Sequence, residues 1–190
     1  MAKDLPIIAF DSEQAWEAWL EAHYSEPDGL WLKIAKAGTG IPSVSYAEAL
    51  NVALCFGWID GQKQKFDDAY WLQKFTPRRA KSPWSQRNKG LVADLIAAGR
   101  MREAGQQEID RAKADGRWDA AYASQSNIEV PEDFQAALDA HPDAKAFFAT
   151  LNSANRYAVL YRITTAKRAE TRQKRLTQLI EMLDRGEKLH

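Results

Sequence analysis

The sequence has few of the residues that hold metals or form cross-links. Among its 190 residues Cys55 is the only cysteine, and the three histidines, His23, His141 and His190, lie far apart. One thiol excludes a disulfide framework, and this set does not supply the four clustered ligands of a structural zinc site. We therefore expect no metal and no cofactor. A lone thiol is also typical of a protein in the reducing cytoplasm.

Long hydrophobic runs are missing as well. The most apolar segment, residues 47–59, contains Glu48 and Gly57 and is far shorter than the roughly 20 apolar residues that cross a bilayer. The apolar stretch near the N-terminus is interrupted by Pro6 and ended by Asp11, so it is too short for the core of an export signal. The sequence therefore predicts a cytoplasmic protein without a membrane span.

A net charge of one sign is absent too, because 26 basic residues balance 26 acidic ones. The charges are unevenly spread, however. Residues 61–89 hold eight basic and two acidic groups, and residues 156–190 hold nine basic and four acidic groups. Basic segments interleaved with aromatic side chains are typical of proteins that hold single-stranded nucleic acid. The overall neutrality argues against that function, which stays open as an alternative.

Alternating apolar residues predict three short strands in the first 80 residues. These strands are Leu30–Ile34, Trp58–Asp60 and Tyr70–Thr76. Two helices are predicted among them, one capped by Asp11 and the other by Ser45. Each cap is followed three residues later by a Gln or Glu, which is the spacing of a capping box.

The remainder of the sequence has a helical pattern. From Ser85 onward the apolar residues recur at helical spacing, interrupted by glycine and proline. The sequence thus predicts an α+β protein, with a small antiparallel sheet and helices in the N-terminal half and a helical C-terminal half. Short connections favour an α+β lobe over residues 1–90 and a helical lobe over residues 91–190, packed on it as one compact unit.

The densest cluster of polar and aromatic residues lies at the end of the predicted sheet. An arginine pair leaves the last strand just before a loop that ends at a helix N-terminus. Guanidinium groups beside free helix N–H groups bind carboxylates or phosphates. Two tryptophans would wall the pocket and an aspartate would orient one arginine. A purely structural role, with the tryptophans in the core, is the alternative. The candidate residues are Trp58, Asp60, Arg78, Arg79, Trp84 and Asn88.

No catalytic constellation is recognisable in the sequence. There is no nucleophile elbow and no phosphate-binding glycine loop, and no motif places a histidine or aspartate beside Cys55. An enzyme would have to use Asp60 with arginine or tyrosine groups as its acid–base set. We therefore lean against catalysis and keep an enzyme with an Asp/Arg site as an alternative.

Several longer strings resemble a known family. They are Ser45-Tyr46-x-Glu48-Ala49, Gly57-Trp58-Ile59-Asp60-Gly61, Phe75-Thr76-Pro77-Arg78-Arg79, Ser82-x-Trp84-Ser85-x-x-Asn88, Gly99-Arg100-Met101, Asp115-Gly116-Arg117-Trp118-Asp119, Asn155-Arg156-Tyr157 and Ala166-Lys167-Arg168-x-x-Thr171-Arg172-x-x-Arg175. On these strings the chain resembles the YdeI/OmpD-associated family, also called bacteriocin-protection proteins, from about Trp16 to Gly186.

The resemblance implies a role in stress or bacteriocin protection and an association with an outer-membrane porin. It also adds Arg156 and Arg172 to the candidate ligand-binding residues. Because a partner in the envelope requires an export signal, we expect a cytoplasmic bacterial protein instead. The function predicted from the sequence is the binding of an anionic small molecule or peptide, with a nucleic-acid-binding protein or an Asp/Arg enzyme as the alternatives.

Overall fold

Wherever the structure is described, the strands lie in the first 77 residues, and helices make up the regular structure that follows. The computed structural model describes residues 4–123 and 127–189, which contain four strands and eight helices. The predicted α+β class is confirmed. In chain order the elements are β1 (Ile7–Ala9), α1 (Glu13–His23), β2 (Leu30–Ala35), α2 (Tyr46–Cys55), β3 (Trp58–Lys65), β4 (Tyr70–Pro77), α3 (Gln86–Ala97), α4 (Glu103–Ala114), α5 (Glu132–Ala140), α6 (Pro142–Thr150), α7 (Ser153–Thr164) and α8 (Ala169–Asp184).

The chain divides into two compact units. The first consists of Met1–Trp84 with Asn88–Ala121, and the second of Ser85–Arg87 with Tyr122–His190. Our sequence analysis put the boundary at residue 90. The first unit extends further because apolar residues of α3 and α4, such as Val92 and Ile109, are buried in the same core as the sheet. Within the described residues, no helix has the length and apolar character needed to cross a membrane.

The sheet has the strand order β1-β2-β4-β3 and is antiparallel except at one edge. There β1, which the sequence analysis missed, pairs in parallel with β2. A three-residue strand is too short to show alternation, so its pattern was unreadable. Strand β3 also runs past Asp60, where the predicted strand ends, because an irregularity between Asp60 and Lys63 lets its pairing with β4 continue to Lys65.

The predicted capping box of α2 is confirmed. The backbone N–H of Glu48 donates to the Ser45 hydroxyl (3.3 Å), and the N–H of Ser45 donates to the Glu48 carboxylate (2.8 Å). The cap predicted for α1 is one residue off, because Ser12 rather than Asp11 accepts the hydrogen bond from Ala15. The hydroxyl of Ser12 in turn donates to the Asp11 carboxylate, so both residues take part in the helix start.

The two faces of the sheet differ sharply in burial. On β2 the residues Leu30, Leu32 and Ile34 are buried in the core of the first unit, whereas Trp31 and Lys33 between them are partly exposed. Side chains alternate along a strand, and residues paired directly across an antiparallel ladder share a face. We call the side with the partly exposed residues the outer face. Its members on β1, β2 and β4 are Ile7, Ala9, Trp31, Lys33, Ala35, Tyr70, Leu72, Lys74 and Thr76, of which Leu72 is buried.

The second unit has its own hydrophobic core. Buried residues from α5, α6, α7 and α8 form it, among them Phe134, Phe148, Leu160 and Leu179. The rings of Phe134 and Phe148 meet edge to face with centroids 5.4 Å apart. This unit therefore needs no residue of the sheet to bury its apolar faces.

Candidate functional site

A cavity of about 420 Å³ lies where β2 begins and β4 ends. Lys74, Arg78 and Arg79 line it with three cationic side chains, and Thr76 adds a hydroxyl. Asp28 is the one acidic residue that the described part of the chain contributes to the lining. We call this the basic cavity. All its residues belong to the first unit.

Strand geometry explains why these side chains meet. Lys74 and Thr76 lie two residues apart on the outer face of β4, while Phe75 between them is fully buried on the other side. Gly29 forms part of the opposite wall. A Cβ atom there would lie 2.2 Å from the carbonyl oxygen of Phe75, so only glycine lets β2 begin this close to β4.

Arg78 is a buried residue that fastens the loop after β4. Its side chain is only 6% exposed, and its guanidinium carbon lies 3.6 Å from the ring centroid of Trp84. Its Nη1 donates to the carbonyl of Pro83 at 3.1 Å. A desolvated cation over an indole ring is among the stronger cation–π contacts. Arg78 thereby orders the loop that carries Arg79.

A second guanidinium, missed by the sequence analysis, holds the same loop. Nη1 of Arg117 donates to the carbonyl of Ser82 at 2.8 Å, and its Nε donates to the Asp115 carboxylate at 2.7 Å. The neighbouring ring of Trp118 meets Trp84 edge to face at 4.8 Å. The signal for Arg117 was present in the string Asp115–Asp119, but nothing local connects that string to a loop 35 residues earlier.

Arg79 is the exposed member of the pair. Its backbone N–H donates to the Ser82 hydroxyl at 2.9 Å, and its carbonyl accepts from the Ser82 N–H at the same distance, which closes a tight turn. In the part of the chain that the structure describes, neither Arg79 nor Lys74 forms an ion pair with a carboxylate. Two cations therefore face the cavity with their charge available to an incoming anion.

Trp58 and Asp60 lie on the other side of the sheet from the basic cavity. They pair with Pro77 and Phe75, so they point towards the helices rather than towards Lys74. Trp58 is fully buried, and its indole N–H donates to the carbonyl of Tyr24 at 2.9 Å. The expected pairing of Asp60 with an arginine is not made, because its carboxylate accepts a hydrogen bond from the Tyr46 hydroxyl (2.8 Å).

Trp84 and Asn88 are both buried in the first unit. Trp84 is 2% exposed and lies beneath Arg78, so it supports the cavity from behind and is not part of its lining. Asn88 is one of three buried residues of α3, next to Val92 and Leu95 in the helical stripe.

Arg156 and Arg172 belong to the second unit. Arg172 donates through Nε and Nη2 to both oxygens of Asp133 (2.7 and 2.8 Å) and through Nη1 to the carbonyl of Ile163. It thereby joins α5, the end of α7 and α8, and its hydrogen bonds lower the pKa of Asp133. The guanidinium carbon of Arg156 lies 4.5 Å from the ring centroid of Phe148. Within their own unit, both arginines pack helices together.

The side chains that line the basic cavity are of the types that can hold an anion. An arginine fork offers two parallel N–H donors to a carboxylate or phosphate, and a lysine adds a point charge. Among the described residues of the lining Asp28 is the only carboxylate, so they offer no pair of acids for proton transfer. Among the described residues, no group of three or more His, Cys, Asp or Glu side chains is placed to hold a metal ion.

Two family models match different parts of the chain. Residues 8–108, just over half of the sequence, match the family described as Domain of unknown function (DUF8412). Residues 127–186 match the family described as Bacteriocin-protection, YdeI or OmpD-Associated. The resemblance to the latter is therefore confirmed over this segment, whereas the strings from Ser45 to Met101 fall within the first match. No curated protein and no solved structure is recognisably similar to the chain.

Proposed function

We propose that this chain, which belongs to the DUF8412 family and carries a YdeI/OmpD-associated segment, binds an anionic small molecule or peptide. The ligand would lie in the basic cavity. The observation that carries the proposal is the convergence of Lys74, Arg78 and Arg79 on one concave site with a single acidic neighbour, Asp28.

The size and order of the cavity support this function. Its volume of about 420 Å³ falls within the range of small-molecule sites. Arg79 stands on a turn closed by Ser82, and the loop behind it is held by Arg78 and Arg117. A site whose backbone is already ordered loses little freedom when an anion binds, which favours affinity.

The biological role that we propose is protection against stress or bacteriocins. Its support is the printed description of the family that matches residues 127–186. We also propose a cytoplasmic setting. Burial raises the pKa of the Cys55 thiol to about 11, so this single cysteine stays protonated and unreactive, as suits a reducing compartment.

Binding is better supported than catalysis. Asp60, the acid–base group that an enzyme would have used, accepts a hydrogen bond from Tyr46 on the helix side of the sheet. The basic cavity opens on the opposite side, where Lys74 and Thr76 point. A general acid or base must come within hydrogen-bond reach of the reacting group, and the strand between them keeps Asp60 away from a ligand in the cavity.

The proposal is tested by thermal unfolding of wild type and Arg79→Ala with defined anions. The probes are inorganic phosphate, succinate, adenosine monophosphate and the acidic peptide triaspartate. A probe at a hundred times its Kd should stabilise the wild type by about 2.7 kcal/mol, and the variant far less. Without a probe the two proteins should unfold alike, since the Arg79 side chain is exposed and forms no ion pair with the described residues.

Lys81→Ala is the matched control. Lys81 is exposed in the same loop and carries the same charge, but it does not line the cavity. It should retain the full stabilisation by the probe. Equal stabilisation of wild type, Arg79→Ala and Lys81→Ala would show that the anion binds elsewhere. An equal loss of stabilisation in Arg79→Ala and Lys81→Ala would show that the probe responds to the general surface charge rather than to the cavity.

A further inference from the structure

The outer face of the sheet carries aromatic rings and ammonium groups side by side. Trp31 pairs across the ladder with Lys74, and Lys33 pairs with Leu72, next to the Tyr70 pair. Trp31, Lys33, Tyr70 and Lys74 are all partly exposed. No acidic residue lies on this face of β2 or β4. The face therefore combines flat apolar surfaces with positive charge.

The lysines lie over the rings. Nζ of Lys33 is 4.0 Å from the ring centroid of Tyr70 and 4.8 Å from that of Phe66, which is 45% exposed. Nζ of Lys74 is 5.9 Å from the centroid of Trp31. A base stacked on an aromatic ring is worth more than an exposed cation–π contact. A phosphate that draws the ammonium aside would therefore free a ring for the adjoining base at a net gain.

The face leads directly into the basic cavity. Lys74 belongs to both, and Thr76 and Arg79 follow it at the cavity end. From Tyr70 to Thr76 the strand rises by about 20 Å, which is enough for several nucleotides of an extended strand. A strand that follows this path meets Tyr70 with Lys33 first and Trp31 with Lys74 next. It then reaches Arg78 and Arg79 at the cavity.

A peptide would use such a surface less well. β2 and β4 are both inner strands, so their backbone N–H and C=O groups are engaged on both sides and give an added strand nothing to pair with. An acidic peptide would satisfy Lys33 and Lys74 but would leave the rings of Trp31 and Tyr70 without a flat partner. Stacking together with backbone neutralisation is how single strands are held.

We propose that the outer face binds single-stranded nucleic acid, with bases stacked on Trp31 and Tyr70 and phosphates on Lys33 and Lys74. One further phosphate lies in the basic cavity against Arg79, and to that extent the proposal rests on the proposed function.

The experiment titrates a fluorescent twelve-nucleotide oligothymidylate into the full chain at two salt concentrations. Lys33, Lys74 and Arg79 would neutralise three phosphates, so affinity should fall by roughly 20-fold between 50 and 200 mM salt. Trp31→Ala should weaken binding by about tenfold, which is the effect of one stacked base. Trp31→Phe should keep much of the affinity and lose the quenching of tryptophan fluorescence that the oligonucleotide causes in the wild type.

The matched controls come from the helix side of the same sheet. Lys63 lies over Trp71 with Nζ 4.3 Å from the ring centroid, and both belong to the side that carries the core. Trp71→Phe repeats the substitution of Trp31→Phe on the opposite face, and Lys63→Ala removes a positive charge from that same face. They should bind the oligonucleotide as wild type does. Loss of binding or of quenching in these variants, with Trp31 variants unaffected, would overturn the proposal.

Failure of this inference is separable from failure of the proposed function. If no oligonucleotide binds at 50 mM salt while phosphate still stabilises wild type but not Arg79→Ala, the outer face is not a nucleic-acid site and the cavity remains an anion site. If the oligonucleotide binds and the Trp31 variants behave as predicted while small anions give no stabilisation, the outer face stands and the cavity proposal is wrong.

Discussion

Replacement of Gly105 by alanine should destabilise the first unit, because this residue lies directly against the end of α2. Gly105 is the third residue of α4, and a Cβ atom there would lie 2.3 Å from the carbonyl oxygen of Cys55 and 2.7 Å from that of Leu54. Real Cβ atoms do not approach other heavy atoms so closely. Both obstacles are backbone atoms, which cannot rotate away as a side chain would. The helix α4 would have to move off α2.

The magnitude follows from two opposing effects. Alanine in place of glycine restricts the unfolded chain and by itself stabilises a helix by about 0.4–1 kcal/mol. Forcing extra volume into a packed site typically costs about 1–3 kcal/mol. Because the contacts at Gly105 are shorter than a tight packing contact, the second effect dominates. With the cost near the upper end of that range and the gain subtracted, we expect a net loss of about 1–2.5 kcal/mol in the free energy of unfolding.

Gly90 supplies the control with the opposite sign. It lies within α3, and a Cβ atom added there would meet no heavy atom within 4 Å. Gly90→Ala should therefore show only the entropic gain and stabilise the protein by about 0.4–1 kcal/mol.

Urea denaturation followed by tryptophan fluorescence measures both changes. All seven tryptophans belong to the first unit, so their fluorescence reports on that unit. The urea midpoint should fall for Gly105→Ala and rise for Gly90→Ala, with the slope of each transition unchanged. A Gly105→Ala protein as stable as wild type would refute the reasoning, because the contact between α4 and the end of α2 would then accommodate a Cβ atom without cost.

Two further predictions concern titratable groups. Because hydrogen bonds from Arg172 lower the pKa of Asp133 below its ordinary 3.8, this pair stabilises the second unit above that pH, and the contribution is lost as the pH falls through the lowered value. Arg172→Gln should make the protein less stable at neutral pH, and its stability, followed by circular dichroism, should fall less steeply than that of wild type between pH 5 and 2. An unchanged dependence of stability on pH would contradict the pairing. The buried Cys55 thiol, with a pKa of about 11, should react with a thiol reagent at pH 8 only as fast as the unit opens, and urea should accelerate the reaction; immediate labelling of the native protein would contradict its burial.

The sequence predicted best those parts of the fold that are determined by near neighbours. The start of α2 depends on Ser45 and Glu48, three residues apart, and both hydrogen bonds of the capping box form as expected. The start of α1 was ambiguous because Asp11 and Ser12 are both good caps, and local preference did not decide between them. β1 depends on parallel pairing with β2, more than 20 residues away, and no local pattern encodes that contact.

The candidate site was predicted only in part for the same reason. Adjacency in the sequence placed Arg78 and Arg79 at the end of a strand, where the cavity is found. It did not reveal which residues of the neighbouring strand share their side of the sheet. Trp58 and Asp60 point the other way because of the register between β3 and β4, including the irregularity after Asp60. A shift of one residue in that register would have reversed the assignment.

The two arginines suggested by family resemblance show a different limit. The motifs that contain these arginines lie in the segment that matches the family, but a sequence motif does not tell which partner an arginine contacts. Arg172 is paired with Asp133, 39 residues earlier, and Arg156 lies against the ring of Phe148. Both partners come from helices that meet only when the second core forms.

The loop between β4 and α3 shows how buried charge can serve an exposed site. Arg78 and Arg117 donate to the carbonyls of Pro83 and Ser82, two consecutive residues, Arg78 from the same loop and Arg117 from a segment 35 residues later. Burying two guanidinium groups costs solvation energy, which hydrogen bonds and the ring of Trp84 offset in part. A hydrophobic anchor would hold the loop without that cost, but it would not direct hydrogen bonds at two particular carbonyls. The gain is a fixed backbone at Arg79, so the one arginine of the pair that faces solvent is held in a defined position.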